Sequence, residues 1–186
     1  MAKKFLTVPN ILTLLRALGV PLFAYLALGR HADALAILVL MLGGATDYFD
    51  GKLARAWNQE SRLGELMDPA VDRIYIATTL VVLYLRQAIP LWVIILLLLR
   101  DLTLGVLTIA MKRAGHGPFT VTFLGKAATF NLLYAFPLLL LAQSDSSWGS
   151  VAFVAGWSFA VWGIALYILT GFDYFRLGWR LVAPAK

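Results

Sequence analysis

Apolar residues in this chain lie in long runs, several of them near twenty residues, and no other feature constrains the fold as strongly. At about 1.5 Å per helical residue, a run of roughly twenty crosses the ~30 Å hydrocarbon core of a bilayer. Inside lipid every backbone N–H and C=O needs a partner within the protein, which leaves helices and closed barrels. The alternating segments of about ten residues that mark a barrel do not recur along the chain. An all-α membrane bundle remains. Composition agrees, because 186 residues that are 61% hydrophobic and 14% charged lack the polar surface a water-soluble domain needs.

Six transmembrane helices are expected, at Ile11–Leu28, Ala34–Ala56, Leu63–Leu85, Ile89–Met111, Phe119–Leu141 and Trp148–Thr170. The connectors are short and rich in turn residues, so residues 1–186 read as a single transmembrane domain. Basic residues orient it. With a cytoplasmic N-terminus, that side carries Lys3, Lys4, Lys52, Arg55, Arg62, Lys112, Arg113, Arg176, Arg180 and Lys186, and the other side Arg30 and Arg86. Trp57, Trp92, Trp148 and Trp179 fall near span ends, where an interfacial aromatic belt lies. Lys3-Lys4, an apolar stretch and Ala32-Asp33-Ala34 imitate a cleaved signal peptide, but the stretch is long for one and holds Arg16 and Pro21. It is kept as the first span.

The formal net charge of +6 fits cytoplasmic loops facing anionic lipid or phosphate. No basic tract interleaved with aromatics is present, so no nucleic-acid partner is expected. The chain has no Cys, which excludes disulfides and thiolate chemistry.

The second and third spans carry the chemistry. Asp47 and Asp50 are three apart and share a helix face, which Gly51 and Arg55 continue; Gly64, Asp68 and Asp72 are spaced by four and form a second stripe. A short connector makes the two spans antiparallel neighbours, with the stripes expected to face one cavity. An Asp at mid-membrane costs roughly 2.5–3.5 kcal/mol on insertion scales, so four cost up to about 10–14 kcal/mol. That is comparable to the roughly 5–15 kcal/mol stability of a whole fold. Arg pairing is one compensation. Divalent metal is the other, and a cluster of Asp without His or Cys favours Mg²⁺, Mn²⁺ or Ca²⁺ over zinc. A salt-bridged helix pair without chemistry is the plain structural alternative.

The pattern Asp-x-x-Asp-Gly-x-x-Ala-Arg, then eight residues, then Gly-x-x-x-Asp-x-x-x-Asp resembles the signature of the CDP-alcohol phosphatidyltransferases, met at Asp47, Asp50, Gly51, Ala54, Arg55, Gly64, Asp68 and Asp72. Val8 to Arg16 is similar to the start of that family's first helix. The resemblance implies a six-helix enzyme that moves a phosphatidyl group from CDP-diacylglycerol to an alcohol with release of CMP. It implies that Asp47, Asp50, Asp68 and Asp72 hold Mg²⁺ or Mn²⁺ on the diphosphate. Asp72 would also be the base for the acceptor hydroxyl, Gly51, Ala54 and Arg55 would contact the CDP moiety, and Gly64 would let the helices approach. The resemblance also implies a homodimer; the site is expected at the cytoplasmic leaflet of what reads as a bacterial plasma membrane, the side where a water-soluble nucleotide would leave.

Other polar residues leave two readings open. Asn10, Thr13 and Arg16 fall three apart on one face of the first span. All three line the nucleotide side of the cavity, with Asn10 and Thr13 toward the CDP-lipid, or the face serves interhelical hydrogen bonding. Arg100, Lys112, Arg113 and Lys126 form a cationic pocket for the acceptor's phosphate, or Arg100 pairs internally with Asp101 and Lys126 snorkels. His31 and His116 read as isolated surface residues, and Asn131 lies inside the fifth span.

Phe123 to Asn131 and Ser61 to Pro69 resemble the actinobacterial CMP-forming cardiolipin synthases within the family, which makes phosphatidylglycerol the expected acceptor and glycerol 3-phosphate the alternative. A different class, an ion-binding transporter, also uses intramembrane acids. Its sites favour broken helices near the midplane of inverted repeats, and no repeat is visible here.

Overall fold

A computed structural model describes residues 8–57, 62–117, 119, 122–144 and 147–182, with side chains described except at 8–9, 47–57, 62–66 and 69. The described residues are helical, with no strand among them. The helices are α1 (Val8–Ala24), a π-helical turn (Tyr25–Gly29), α2 (Asp33–Trp57), α3 (Arg62–Leu85), α4 (Leu91–Arg113), α5 (Phe123–Leu141) and α6 (Gly149–Val182). Four of them are long and apolar enough to cross a membrane by length and composition: α1 with its π turn, α4, α5 and α6. Apolar helix in α2 runs Asp33–Thr46, ahead of the charged residues that follow. Outer faces stay apolar, as Leu98, Leu99, Leu102, Val106 and Ile109 on α4 are all exposed. Such a continuous apolar exterior suits lipid and not water.

The chain divides into two compact units, Met1–Ala88 with Gln143–Ser146, and Ile89–Ala142 with Ser147–Lys186. In the first, α1 packs against both α2 and α3. Its inner face repeats at helical spacing through Asn10, Thr13, Arg16, Val20, Phe23 and Ala27, all buried. Pro21 lies inside α1 and cannot donate a backbone bond, and one turn later the helix widens into the π turn. His31, at φ +50°, then reverses the chain into α2.

An ion pair closes this end of the first unit. Arg86 donates to Asp33 through both terminal nitrogens, at 2.8 and 3.0 Å, and to the Ala27 carbonyl at 2.6 Å. It therefore joins the end of α3 to the π turn and to the first turn of α2. Across the middle of the unit, the Tyr75 hydroxyl of α3 donates to the Val39 carbonyl of α2 at 2.9 Å. It lies where Gly43 has no side chain, since a Cβ there would sit 2.5 Å from that oxygen.

In the second unit α6 is the common element, packed on both α4 and α5. Small residues bring α5 and α6 together. Ala152, Gly156, Ala160 and Gly163 are buried along α6. A Cβ at Gly156 would lie 3.1 Å from Leu139, and one at Gly163 would lie 3.0 Å from Leu132. This is the small-residue spacing by which membrane helices gain close contact without a hydrophobic driving force.

Two boundaries differ from the sequence expectation. The fifth helix starts at Phe123 instead of Phe119, because Thr122 caps it by accepting the Gly125 N–H at 3.2 Å. The sixth continues beyond Thr170 to Val182, and Tyr174 and Gly178 remain buried in that extension. Its 34 residues amount to about 51 Å of helix, well beyond the ~30 Å hydrocarbon core.

Candidate active site

The acidic stripe of α3 is held by α1. Asp68 and Asp72 are one turn apart in an uninterrupted helix, so their carboxylates share a face. The Thr13 hydroxyl donates to Asp68 Oδ1, and Arg16 Nη1 donates to Asp72 Oδ1. Residues three apart on one helix thus meet residues four apart on the other, making two rungs. Thr13 and Arg16 are buried, with Asn10 one turn before them. The Arg16 side chain is 2% exposed and that of Asp72 is 41% exposed, so the carboxylate is anchored from inside and still reachable from outside.

The other stripe belongs to α2. Asp47, Asp50, Gly51, Ala54 and Arg55 all lie within its helical backbone, but their side chains fall outside the described residues. The same holds for Gly64 on α3. Beside the two rungs, and within this unit, is a pocket of about 290 Å³. Leu15, Gly19, Leu22, Val39, Leu42 and Tyr75 make most of its wall, with Arg16 and Thr46 as polar members. Arg16, the partner of Asp72, is part of that lining, and Thr46 immediately precedes Asp47 in the chain.

Hard carboxylate oxygens one turn apart suit Mg²⁺ or Mn²⁺. An ionised carboxylate has about four acceptor positions, so the single bond from Thr13 does not exhaust Asp68. In donor chemistry these two carboxylates suit a divalent ion, while no group of three or more His, Asp or Glu comes together among the described residues.

The basic residues of the second unit behave differently from one another. Arg100 bonds Asp101 at 3.0 Å and stacks its guanidinium over the Tyr167 ring at 3.9 Å, while the Tyr167 hydroxyl also donates to Asp101. This is the internal pair that the sequence left as an alternative. Lys112 and Arg113 are exposed in the last turn of α4, and Lys126 is exposed in the first turn of α5. They sit at the two ends of the α4–α5 connector. Asn131 bonds the Ala127 carbonyl of its own helix at 2.8 Å, and His31 and His116 are exposed in turns.

Sequence reading left Asn10, Thr13 and Arg16 open between lining the nucleotide side of the cavity and interhelical hydrogen bonding. The structure gives Thr13 the interhelical bond to Asp68, and Arg16 is the partner of Asp72. The three-residue spacing from Asn10 was the available signal. Tyr75 carried no signal at all, since an aromatic at that position reads as ordinary packing.

Residues 6–165 match the family model described as CDP-alcohol phosphatidyltransferase. The chain belongs to that family. It is an enzyme, a transferase of the CDP-alcohol phosphatidyltransferase type, and a multi-pass membrane protein, which sets aside the transporter reading. It is similar to the CMP-forming cardiolipin synthase of Streptomyces coelicolor, with 52% identity over 184 residues, covering 96% of this chain and 86% of the relative. It is also similar to a putative cardiolipin synthase of Mycobacterium tuberculosis, with 43% identity over 166 residues, covering 89% and 79%. A CDP-diacylglycerol–glycerol-3-phosphate 3-phosphatidyltransferase of Cereibacter sphaeroides is 30% identical over 209 residues, covering 91% and 94%. Both acceptor readings of this CDP-alcohol phosphatidyltransferase thus have relatives, and identity is higher on the cardiolipin synthase side.

Proposed function

We propose that this chain joins CDP-diacylglycerol to phosphatidylglycerol, forming cardiolipin and releasing CMP. The 52% identity to a CMP-forming cardiolipin synthase across 96% of the chain carries the choice of acceptor. The chemistry rests on the two carboxylate rungs of α1 and α3.

The acceptor hydroxyl oxygen bonds to the lipid-side phosphorus of the diphosphate. The bond from that phosphorus to the bridging oxygen breaks, and CMP leaves with the electron pair. Asp72 takes the hydroxyl proton, as a base anchored by Arg16. Asp47, Asp50, Asp68 and Asp72 would hold Mg²⁺ or Mn²⁺, which when bound would neutralise charge building on the phosphate oxygens. Gly51, Ala54 and Arg55 bind the CDP moiety, with Asn10 beside Thr13 on the α1 face. A guanidinium at Arg55 suits phosphate through its paired donors. The apolar wall of the 290 Å³ pocket suits an acyl chain of the CDP-lipid.

Lys112, Arg113 and Lys126 receive the acceptor's phosphate. Arg100, neutralised by Asp101, contributes by holding α4 to Tyr167 of α6. Residues 1–186 work as one catalytic domain, the chain acts as a homodimer, and the site opens to the cytoplasm, where CMP departs. The excess of Lys and Arg at that side supports the orientation.

The second reading, glycerol 3-phosphate as acceptor, is favoured by the relative at 30% identity. A paired assay decides. Purified protein receives CDP-diacylglycerol with either acceptor, plus Mg²⁺ or Mn²⁺, with a chelated control. Lipids are then separated by thin-layer chromatography. Cardiolipin from phosphatidylglycerol, lost on chelation, is the expected product. Phosphatidylglycerophosphate from glycerol 3-phosphate, with no cardiolipin, reverses the acceptor and leaves the family chemistry standing.

A further inference from the structure

The α4–α5 connector begins just after Lys112 and Arg113 and ends at Thr122, the cap of the helix whose first turn carries Lys126, so what fixes its two ends also fixes those cations. Its start is locked locally. Gly115, at φ +81°, lets its own N–H reach the Lys112 carbonyl at 3.2 Å and the His116 N–H reach that of Met111 at 2.9 Å. This is the paired closure that ends a helix at a left-handed glycine.

The far end is locked from α6. The Thr122 N–H donates to the Tyr174 hydroxyl at 2.8 Å, and the two hydroxyl oxygens are 3.0 Å apart. Thr122 in turn caps α5 through the Gly125 N–H. Gly125 leaves room for this, since a Cβ there would lie 3.0 Å from the Tyr174 oxygen. The Tyr174 ring packs against Phe119 at 5.3 Å between centroids. One turn on, a Cβ at Gly178 would lie 2.6 Å from Leu107 of α4 and 2.8 Å from Phe119. The extension of α6 beyond Thr170 therefore grips α4, the connector and the α5 N-terminus together.

We infer that Tyr174 is a positioning residue for the acceptor: its hydroxyl, bonded to Thr122, sets the first turn of α5 and with it Lys126, relative to Lys112 and Arg113 at the end of α4. The inference rests on the assignment of these three cations to the acceptor's phosphate. Tyr174 itself touches no substrate. Its burial and its hydrogen bonds are spent on the connector, which is why its effect is confined to the substrate that the connector serves.

Steady-state kinetics on purified protein test this, with CDP-diacylglycerol and phosphatidylglycerol varied separately in mixed micelles. Tyr174→Phe keeps the ring and removes the hydroxyl. It is expected to raise the KM for phosphatidylglycerol roughly fivefold, the ratio that one ordinary hydrogen bond represents. The KM for CDP-diacylglycerol and kcat stay at wild-type values. Thr122→Val removes the side-chain hydroxyl 3.0 Å from that of Tyr174 but keeps the main-chain N–H bond, so it is expected to raise the same KM by a smaller factor. Lys126→Ala separately checks the acceptor assignment and is expected to raise the same KM. If Lys126→Ala raises it while Tyr174→Phe and Thr122→Val do not, the positioning role is wrong and the acceptor site stands. If Lys126→Ala has no effect on it, the acceptor assignment fails and the inference falls with it. A fall in all parameters that tracks a lowered melting temperature in both clasp variants assigns the contact to stability alone and also overturns the inference.

Discussion

Asp72→Asn is expected to lower kcat by roughly 10²–10⁴-fold, the usual worth of a positioned proton acceptor, while CDP-diacylglycerol still binds. The reason lies in how the carboxylate is held. Arg16 reaches it from the buried face of α1, and the side chain is still 41% exposed. Asparagine keeps the volume and one acceptor oxygen but cannot take a proton. Asp68→Asn serves as the contrast. Asp68 is bonded by a hydroxyl instead of a guanidinium and is assigned to the metal alone, so its loss should raise the Mg²⁺ or Mn²⁺ concentration needed for half-maximal CMP release. Binding isotherms for the CDP-lipid and metal titrations of CMP release separate the two. An Asp72→Asn protein that fails mainly in binding CDP-diacylglycerol makes that residue a ligand and removes it as the base.

The largest effect on stability is expected far from the chemistry, at Arg86. This residue pairs with Asp33 through both terminal nitrogens, and the two side chains are 11% and 7% exposed. Arg86→Ala leaves a buried carboxylate without its partner, a change that costs about 3–5 kcal/mol when a buried ion pair is broken. It also strips the donor from the Ala27 carbonyl in the π turn. Asp33→Ala should be severe for the mirrored reason. The double variant Asp33→Ala/Arg86→Ala should lose less than the sum of the two, because neither charge is then stranded. Unfolding in detergent, followed by circular dichroism, measures all three. Additive losses of about 1 kcal/mol or less each, the range of exposed pairs, would show that solvent screens the bridge and that it does not hold the unit together.

The sequence by itself determined what local periodicity encodes. A helix needs only its own residues to satisfy its backbone, so runs of apolar residues were enough to place the six α-helices found among the described residues, with boundary errors at α5 and α6. Spacings of three and four were enough to place Asp47 with Asp50, and Asp68 with Asp72, on common faces, because 3.6 residues per turn is a property of the single helix. The motif at those positions carried the family for the same reason, being a pattern along one stretch of chain.

Tertiary structure alone decided the partners. Thr13 with Asp68, Arg16 with Asp72, Arg86 with Asp33 and Thr122 with Tyr174 are each separated by more than fifty residues. No period along the chain links such positions; they meet because helices pack at particular crossings, set by small residues such as Gly43 and Gly178. The length of α6 was illegible for a related reason. The charges at Arg176 and Arg180 read as lying on the cytoplasmic side beyond the last span, and only the packing of Tyr174 and Gly178 against Phe119 and Leu107 makes continued helix the favourable state there.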